Sequence, residues 1–377
     1  MIRWRIVAFG LLCATCTTIP VLYVLRAVRS AHAPLPGPPP ETAPVTAATA
    51  SPTPPPPGAA HETPRPAERS PVRPATPTQT ERPVKPRAPS AMVYRYTGAD
   101  GNHGRLVRGR LDAPEAGLAL TDLRCERVHM TQTGGVCLTA DRGFFVRYEA
   151  VIFDRDFKVR HTLPLTGAPS RARVSPNGRL VAVTVFESGH SYAAANFSTR
   201  TSIVDASTGD FLLPDLEKLT VLRDGAPMHA LDLNVWGVTF ASDGNRFYAT
   251  VATGGRMYLA EGDVANRRMR LLREGVECPS LSPDGTRLAF KRREGGMLTP
   301  VTWRLAVIRL DNLEERTLAE TRSVDDQVEW LDNGFVLYSL PEALSGTPVQ
   351  NTWAVPADGG GSPRLLVPKA YSLAVLR

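Results

Sequence analysis

No group of residues in this sequence has the types and spacing of a familiar catalytic or metal centre. The seven histidines, at positions 32, 61, 103, 129, 161, 190 and 229, include no His-x-x-x-His or His-Glu-x-x-His pair. That spacing would put two imidazoles on one helical face for a metal ion. There is no Gly-x-Ser-x-Gly turn to present a nucleophilic serine, and no glycine loop of the kind that cradles phosphate. Gly359, Gly360 and Gly361 lie between two strand-like runs and read as a turn. Residues Asp100 to Gly104 offer oxygen ligands without the later acid of a calcium loop. No cofactor and no metal ion are expected, and the chain is not expected to be an enzyme.

A chemically mixed set of residues does recur at one position. Four segments, 171–183, 237–249, 278–290 and 327–338, each read as a strand, an Asn/Asp-Gly turn and a second strand. Aligned on the turn glycine, the position eight residues earlier holds Ser170, Trp236, Glu277 and Asp326, and the next holds Arg171, Gly237, Cys278 and Gln327. These positions mark the start of each first strand. Arg171, Trp236, Glu277, Asp326 and Gln327 form the candidate ligand- or partner-binding set, because an aromatic, carboxylates and a guanidinium converging on one mouth can recognise a ligand. The competing reading gives the same side chains to hydrogen bonds and ion pairs between neighbouring repeats. Paired carboxylates across a pocket would instead suit glycan cleavage.

The repeat is what must position them. The turn glycines are Gly135 (in a degenerate copy, 128–138), Gly178, Gly244, Gly285 and Gly334, at intervals of 43, 66, 41 and 49 residues. A period near 40–50 with four strands per unit is the signature of propeller blades. Asn/Asp-Gly suits tight hairpins because those turns need positive φ. The aspartate of each Ser-Pro-Asp-Gly is therefore a turn former. Five blades follow directly. Strands within 93–111 and the terminal run 370–376 are left over, and pairing them makes a sixth blade closed by both ends of the domain, which removes the open edges. The long 66-residue interval predicts surplus loops at Glu187–Thr201 and Asp215–Leu233. The expected fold is thus an all-β propeller of six four-stranded blades over 93–377, monomeric.

Residues 1–92 are of another kind. Ile6 to Leu25 is a run of 20 residues without charge, long enough to cross a hydrocarbon core. Residues 1–30 are expected to be a cytoplasmic N-terminus and transmembrane signal-anchor, with Arg3 and Arg5 holding the N-terminus inside. An alternative is a cleaved signal peptide ending at Ala33, disfavoured by the length of the run and by Pro34. Residues 31–92 carry 19 prolines, from Pro34 to Pro89, and no Phe, Trp or Tyr occurs between Tyr23 and Tyr94. Such a segment buries too little apolar surface to fold and is expected to be a disordered linker, reaching on the order of 170 Å if fully polyproline II.

Of the formal charge of +7, all but one unit belongs to this leader. Residues 1–92 hold ten basic and four acidic residues, which leaves 34 basic against 33 acidic in the remainder. A nucleic-acid-binding fold would carry the excess itself, so nucleic acid is excluded as a partner. Cys125 and Cys137 flank a short hairpin-like stretch, and an oxidising compartment makes a disulfide between them plausible. Cys278 is then unpaired.

The Ser-Pro-Asp-Gly blades resemble the TolB-type propeller built from WD40-like PD40 repeats, over roughly 93–377. In layout the chain is similar to the membrane-anchored TolB-like proteins of high-GC Gram-positive bacteria. It departs from TolB in having the anchor and linker where TolB has an N-terminal α/β domain. The resemblance implies a non-enzymatic binding module at the outer side of the cell membrane, engaging a cell-envelope protein or a wall polymer. A glycan-active hydrolase or lyase using acids in the central pocket is the alternative. The topology has a direct test. Protease added to intact spheroplasts is expected to remove the propeller and leave an anchored stub, whereas spontaneous release of a soluble protein starting near Pro34 would show a cleaved leader.

Overall fold

The computed structural model describes residues 91–187, 198–296, 299–342 and 349–377. The expected anchor and nearly all of the linker lie outside these. Six sheets, antiparallel apart from one added strand, succeed one another along the described chain. Blade 1 orders Ala370–Leu376, Ala91–Tyr96, Arg105–Arg110 and Ala119–Arg124 from inside outward. Blade 2 runs from inner strand Arg127–Met130 to Val159–Leu165, and blade 3 from Ala168–Val174 to Phe211–Leu213. Blades 4, 5 and 6 begin with inner strands Asn234–Phe240, Glu277–Leu281 and Glu329–Trp330. Each inner strand lies against the next, and the sixth meets the first, so the sheets close into a ring around an axial channel.

Alternation along the strands builds the ring. In blade 2, Val136, Leu138, Ala150 and Ile152 join the apolar layer shared with blade 3. Their neighbours Cys137, Val151 and Phe153 point the other way, into the layer shared with blade 1. Period-2 patterning with apolar residues in both phases is what a strand buried on two faces requires. Six such layers alternate with the six blades.

The Ser-Pro-Asn/Asp-Gly turns are self-bracing. Asp284 Oδ1 accepts from Ser282 Oγ at 2.6 Å and from the Thr286 amide at 3.1 Å, while Ser282 Oγ accepts from the Arg287 amide at 3.0 Å. Gly285 takes φ +71°, a conformation that a side chain would strain. These aspartates are turn formers, as their sequence context indicates.

Ring closure follows the expected pairing. Ala91–Tyr96 lies antiparallel to Ala370–Leu376, with Ala91 opposite Leu376 and Tyr96 opposite Ala370. The surplus before blade 4 departs from expectation. Within Asp215–Leu233 the chain forms a 3-10 turn, Leu216–Lys218, and two strands, Thr220–Arg223 and Ala226–Met228. The first of these strands pairs parallel to Arg268–Glu274, making blade 4 six-stranded. Leu216, Leu219 and Val221 are buried in the layer between blades 3 and 4, and that burial holds a segment whose short-range pattern reads as loop. In the other surplus segment, Glu187 ends one strand and Ser198 begins the next, with 188–197 outside the described residues.

Cys125 and Cys137 are disulfide-bonded, with Cα atoms 5.3 Å apart. The bond joins the end of blade 1 to the second strand of blade 2 and closes a span of 12 residues. Loop-closure entropy for a span of this length is worth about 3 kcal/mol. Urea unfolding of the Cys125→Ser/Cys137→Ser protein is expected to show a loss of that order, and an unchanged midpoint would assign the bond no stabilising part.

Candidate functional site

All inner strands run the same way along the channel, from a leading end to a turn end. All five candidate residues sit at the leading end, where three of the inner strands bulge. Gly237, Cys278 and Ser372 there adopt φ of 68°, 50° and 53°. A Cβ on Gly237 would come 2.7 Å from the Cys278 Cα, so only glycine lets the two strands approach.

The structure brings Arg171, Asp326 and Gln327 together along the axis, around a water-sized cavity that Arg127, His129 and Arg173 also line. Asp326 Oδ1 accepts from Arg127 Nη1 at 2.9 Å, and the Arg127 guanidinium in turn covers the Tyr371 ring. Gln327 Nε2 donates to the carbonyls of Val238 in blade 4 and Pro279 in blade 5, at 3.0 and 3.3 Å. Trp236 and Glu277 are placed differently. They are 7% and 5% exposed and line none of this cavity. Glu277 lies 3.8 Å from Lys291 Nζ and accepts from Trp303 Nε1 at 3.3 Å. Lys291 also pairs with Asp325. Burial pushes the Glu277 carboxyl up from its ordinary range, with Lys291 opposing the shift.

Two residues deeper, an ionic cluster spans the channel. Arg173 of blade 3 pairs with Glu329 of blade 6, directly opposite in the ring, and donates to the Val328 carbonyl at 3.0 Å. Arg377 Nη1 reaches the same carboxylate at 2.9 Å. His129 Nδ1 accepts from the Val174 amide at 3.1 Å, which places the proton on Nε2, 3.3 Å from Glu329. Burial, aided by Arg173, lowers the His129 pKa, so the ring is neutral near pH 7. Burial alone would raise Glu329, but Arg173 and Arg377 overcome it and hold the carboxyl far below its usual range. Single-residue motifs do not reveal this cluster. Its sequence signal is the step of two along an inner strand, from Arg127 to His129, Arg171 to Arg173 and Gln327 to Glu329.

Below the cluster, at the turn end, a cup of about 290 Å³ opens between Pro176, Ser242 and Pro283, with Arg173, Glu329 and Arg377 in its lining. The leading end carries a different feature. The hairpin joining Gly134–Arg142 to Val146–Asp154 projects past the start of the inner strand and ends in Phe144 and Phe145. They are 96% and 76% exposed, with rings edge-to-face at 4.9 Å. Leu231, 92% exposed, precedes the blade 4 inner strand at the same end. No sequence signal marks these three, because an apolar residue in a turn looks like any strand residue. Among the described residues, no group of three or more His, Cys, Asp or Glu side chains is arranged to hold a metal ion.

The fold defines the class, a six-bladed β-propeller. No known family profile and no curated protein matches the sequence. Among solved structures the chain is similar to TolB from Acinetobacter baumannii, at 16% identity and TM-score 0.49, over 76% of this chain and 66% of that one. It is similar to a puromycin-hydrolyzing peptidase from Mycobacterium tuberculosis at 14% identity and TM-score 0.46, over 76% of this chain and 45% of that one. An oligogalacturonate lyase from Vibrio parahaemolyticus matches at 11% identity and TM-score 0.44, over 67% of this chain and 72% of that one. At these identities the likeness concerns the fold alone.

The axial cluster makes a pH prediction. A carboxyl whose folded pKa is depressed stabilises the fold above its unfolded value, roughly 4.3, and loses that contribution as pH falls toward the folded value. Glu329→Gln is therefore expected to cost about 3–5 kcal/mol near pH 7 by leaving buried guanidinium groups uncompensated, and to flatten the loss of stability below about pH 4. Parallel urea titrations at pH 3 and pH 7 check this, and equal pH dependence of the two proteins would remove Glu329 from the explanation.

Proposed function

We propose that this chain is a membrane-tethered, extracytoplasmic propeller that acts as a non-enzymatic binding module for a cell-envelope protein or a wall polymer. The observation carrying this reading is the leading face, where Phe144, Leu231 and Phe145 are the three most exposed large apolar side chains among the described residues. The first described strand begins at Ala91, opposite Leu376 and hence at the turn end. Apolar anchors on a rigid scaffold mark contact surfaces, and aromatic anchors dominate the energy of such contacts. Of the candidate set, Asp326 and Gln327 brace this face across blades, and Trp236 and Glu277 are buried beneath it.

The glycan-cleaving reading needs two carboxylates across an open pocket, one of them protonated. Asp326 is held by Arg127 and Glu329 by Arg173 and Arg377. Glu277 has the raised pKa of an acid but is 5% exposed. These ion pairs favour a framework role for the channel acids.

Phe144→Ala/Phe145→Ala is expected to reduce in-cell crosslinked partner capture, or binding to isolated wall polymer, at least tenfold, since one aromatic anchor is worth about 2 kcal/mol or more. The melting temperature should not change, because the replaced side chains bury almost nothing. Undiminished capture by this variant would exclude the leading face as the docking surface.

A further inference from the structure

The chain between blades 3 and 4 gathers three acids around one guanidinium. Asp215 caps the 3-10 turn Leu216–Lys218, its Oδ1 accepting from the Glu217 amide at 3.0 Å. Glu217 lies within electrostatic range of Asp215, of Glu187 at the end of a blade 3 strand, and of Arg200 on the next strand. Arg200 already serves the other two acids. Its Nε and Nη2 donate to Glu187 at 2.7 and 3.1 Å, and its Nη1 lies 3.9 Å from Asp215. The largely exposed Lys218 ammonium is 3.8 Å from Asp215. No cation pairs with Glu217 among the described residues, and its Oε1 is buried without a hydrogen-bond partner. The Val235 amide of the blade 4 inner strand is its one favourable backbone neighbour.

This carboxyl sits between two packed leucines. Leu216 and Leu219, buried between blades 3 and 4, flank it in the chain. The turn leads straight into Thr220–Arg223, a strand with only three residue pairs to Arg268–Glu274 and three to Ala226–Met228. An ionised carboxylate with an unserved buried oxygen, beside two like charges, opposes that docking, and a neutral carboxyl does not. We propose that Glu217 is a proton-held latch, closing the 3-10 turn and the added strands of blade 4 when neutral and loosening them when ionised. Burial first, then Asp215, pushes its carboxyl up to about 7, against the Val235 amide and Arg200. A carboxyl raised above its unfolded value, roughly 4.3, favours docking fully below that value and loses the contribution as pH rises toward 7. Across that window the open population grows by up to about tenfold per pH unit. Leu231 follows Ala226–Met228 closely, so loosening displaces an apolar side chain of the leading face. This last consequence alone rests on the contact-surface reading.

Hydrogen exchange of the full chain at pH 5 and pH 7.5, corrected for intrinsic rates, tests the latch. The Leu219 and Thr220 amides, which donate to the Leu216 and Arg267 carbonyls at 3.2 Å each, report directly on closure. Their protection should fall by up to about a hundredfold between the two pH values, while amides of the core strand Arg246–Thr253 hold theirs. The Glu217→Gln protein should stay protected at both. Equal protection at the two pH values in the unaltered protein, or the same fall in Glu217→Gln, would overturn the proposal. A carbon-13 titration of the Glu217 carboxyl in the unaltered protein decides the matter even if the variant does not fold, since a midpoint near 4.3 also overturns it. None of these readouts involves a partner, so their failure leaves the contact surface to its own test at Phe144 and Phe145.

Discussion

Each blade is a sheet with two apolar faces, and every other feature follows from the need to bury both. A sheet of this kind cannot end at an edge, because the last face would remain in water and the last strand unpaired. The ring resolves this by giving every blade two neighbours, with six apolar layers between six blades. Closure falls to the pairing of Ala91–Tyr96 with Ala370–Leu376. These strands are almost the whole described chain apart in sequence, so closure is a long-range contact whose entropy cost is met only once the other layers can form.

Closing a ring creates an axis where six inner strands crowd together, and this chain fills it with charge. The geometry explains why the pairs cross the ring. Arg173 is long enough to reach Glu329 on the opposite blade, and Arg127 reaches Asp326 on a blade two places away. Such buried ion pairs add little net stability relative to an apolar plug, yet losing one partner is expensive. They select one arrangement of blades because each charge is satisfied only when the ring has its proper order. A channel locked in this way is poorly suited to chemistry at its acids. The proposed contact surface lies instead on the leading face, where the hairpin bearing Phe144 and Phe145 extends beyond the packed strands.

The repeat was legible from the sequence because its determinants are local. Asn/Asp-Gly hairpins, alternating apolar residues and a regular spacing need only nearest neighbours in the chain, and they determined the blade count and the closing pair of strands. The register of the inner strands was legible for the same reason, so the level of Arg171, Asp326 and Gln327 could be assigned. Which residues at that level face the axis was decided by the tertiary structure. Bulges at Gly237 and Cys278 shift the strand phase, and a shift of one residue exchanges the two faces of a strand. Trp236 and Glu277 are buried accordingly. The added strands in 220–228 likewise depend on a long-range partner, Arg268–Glu274, which no local pattern announces. The partners of the axial charges, some as distant as His129 and Glu329, exist only once the ring has closed, because charge pairing across an axis is a property of assembled geometry and not of neighbouring residues.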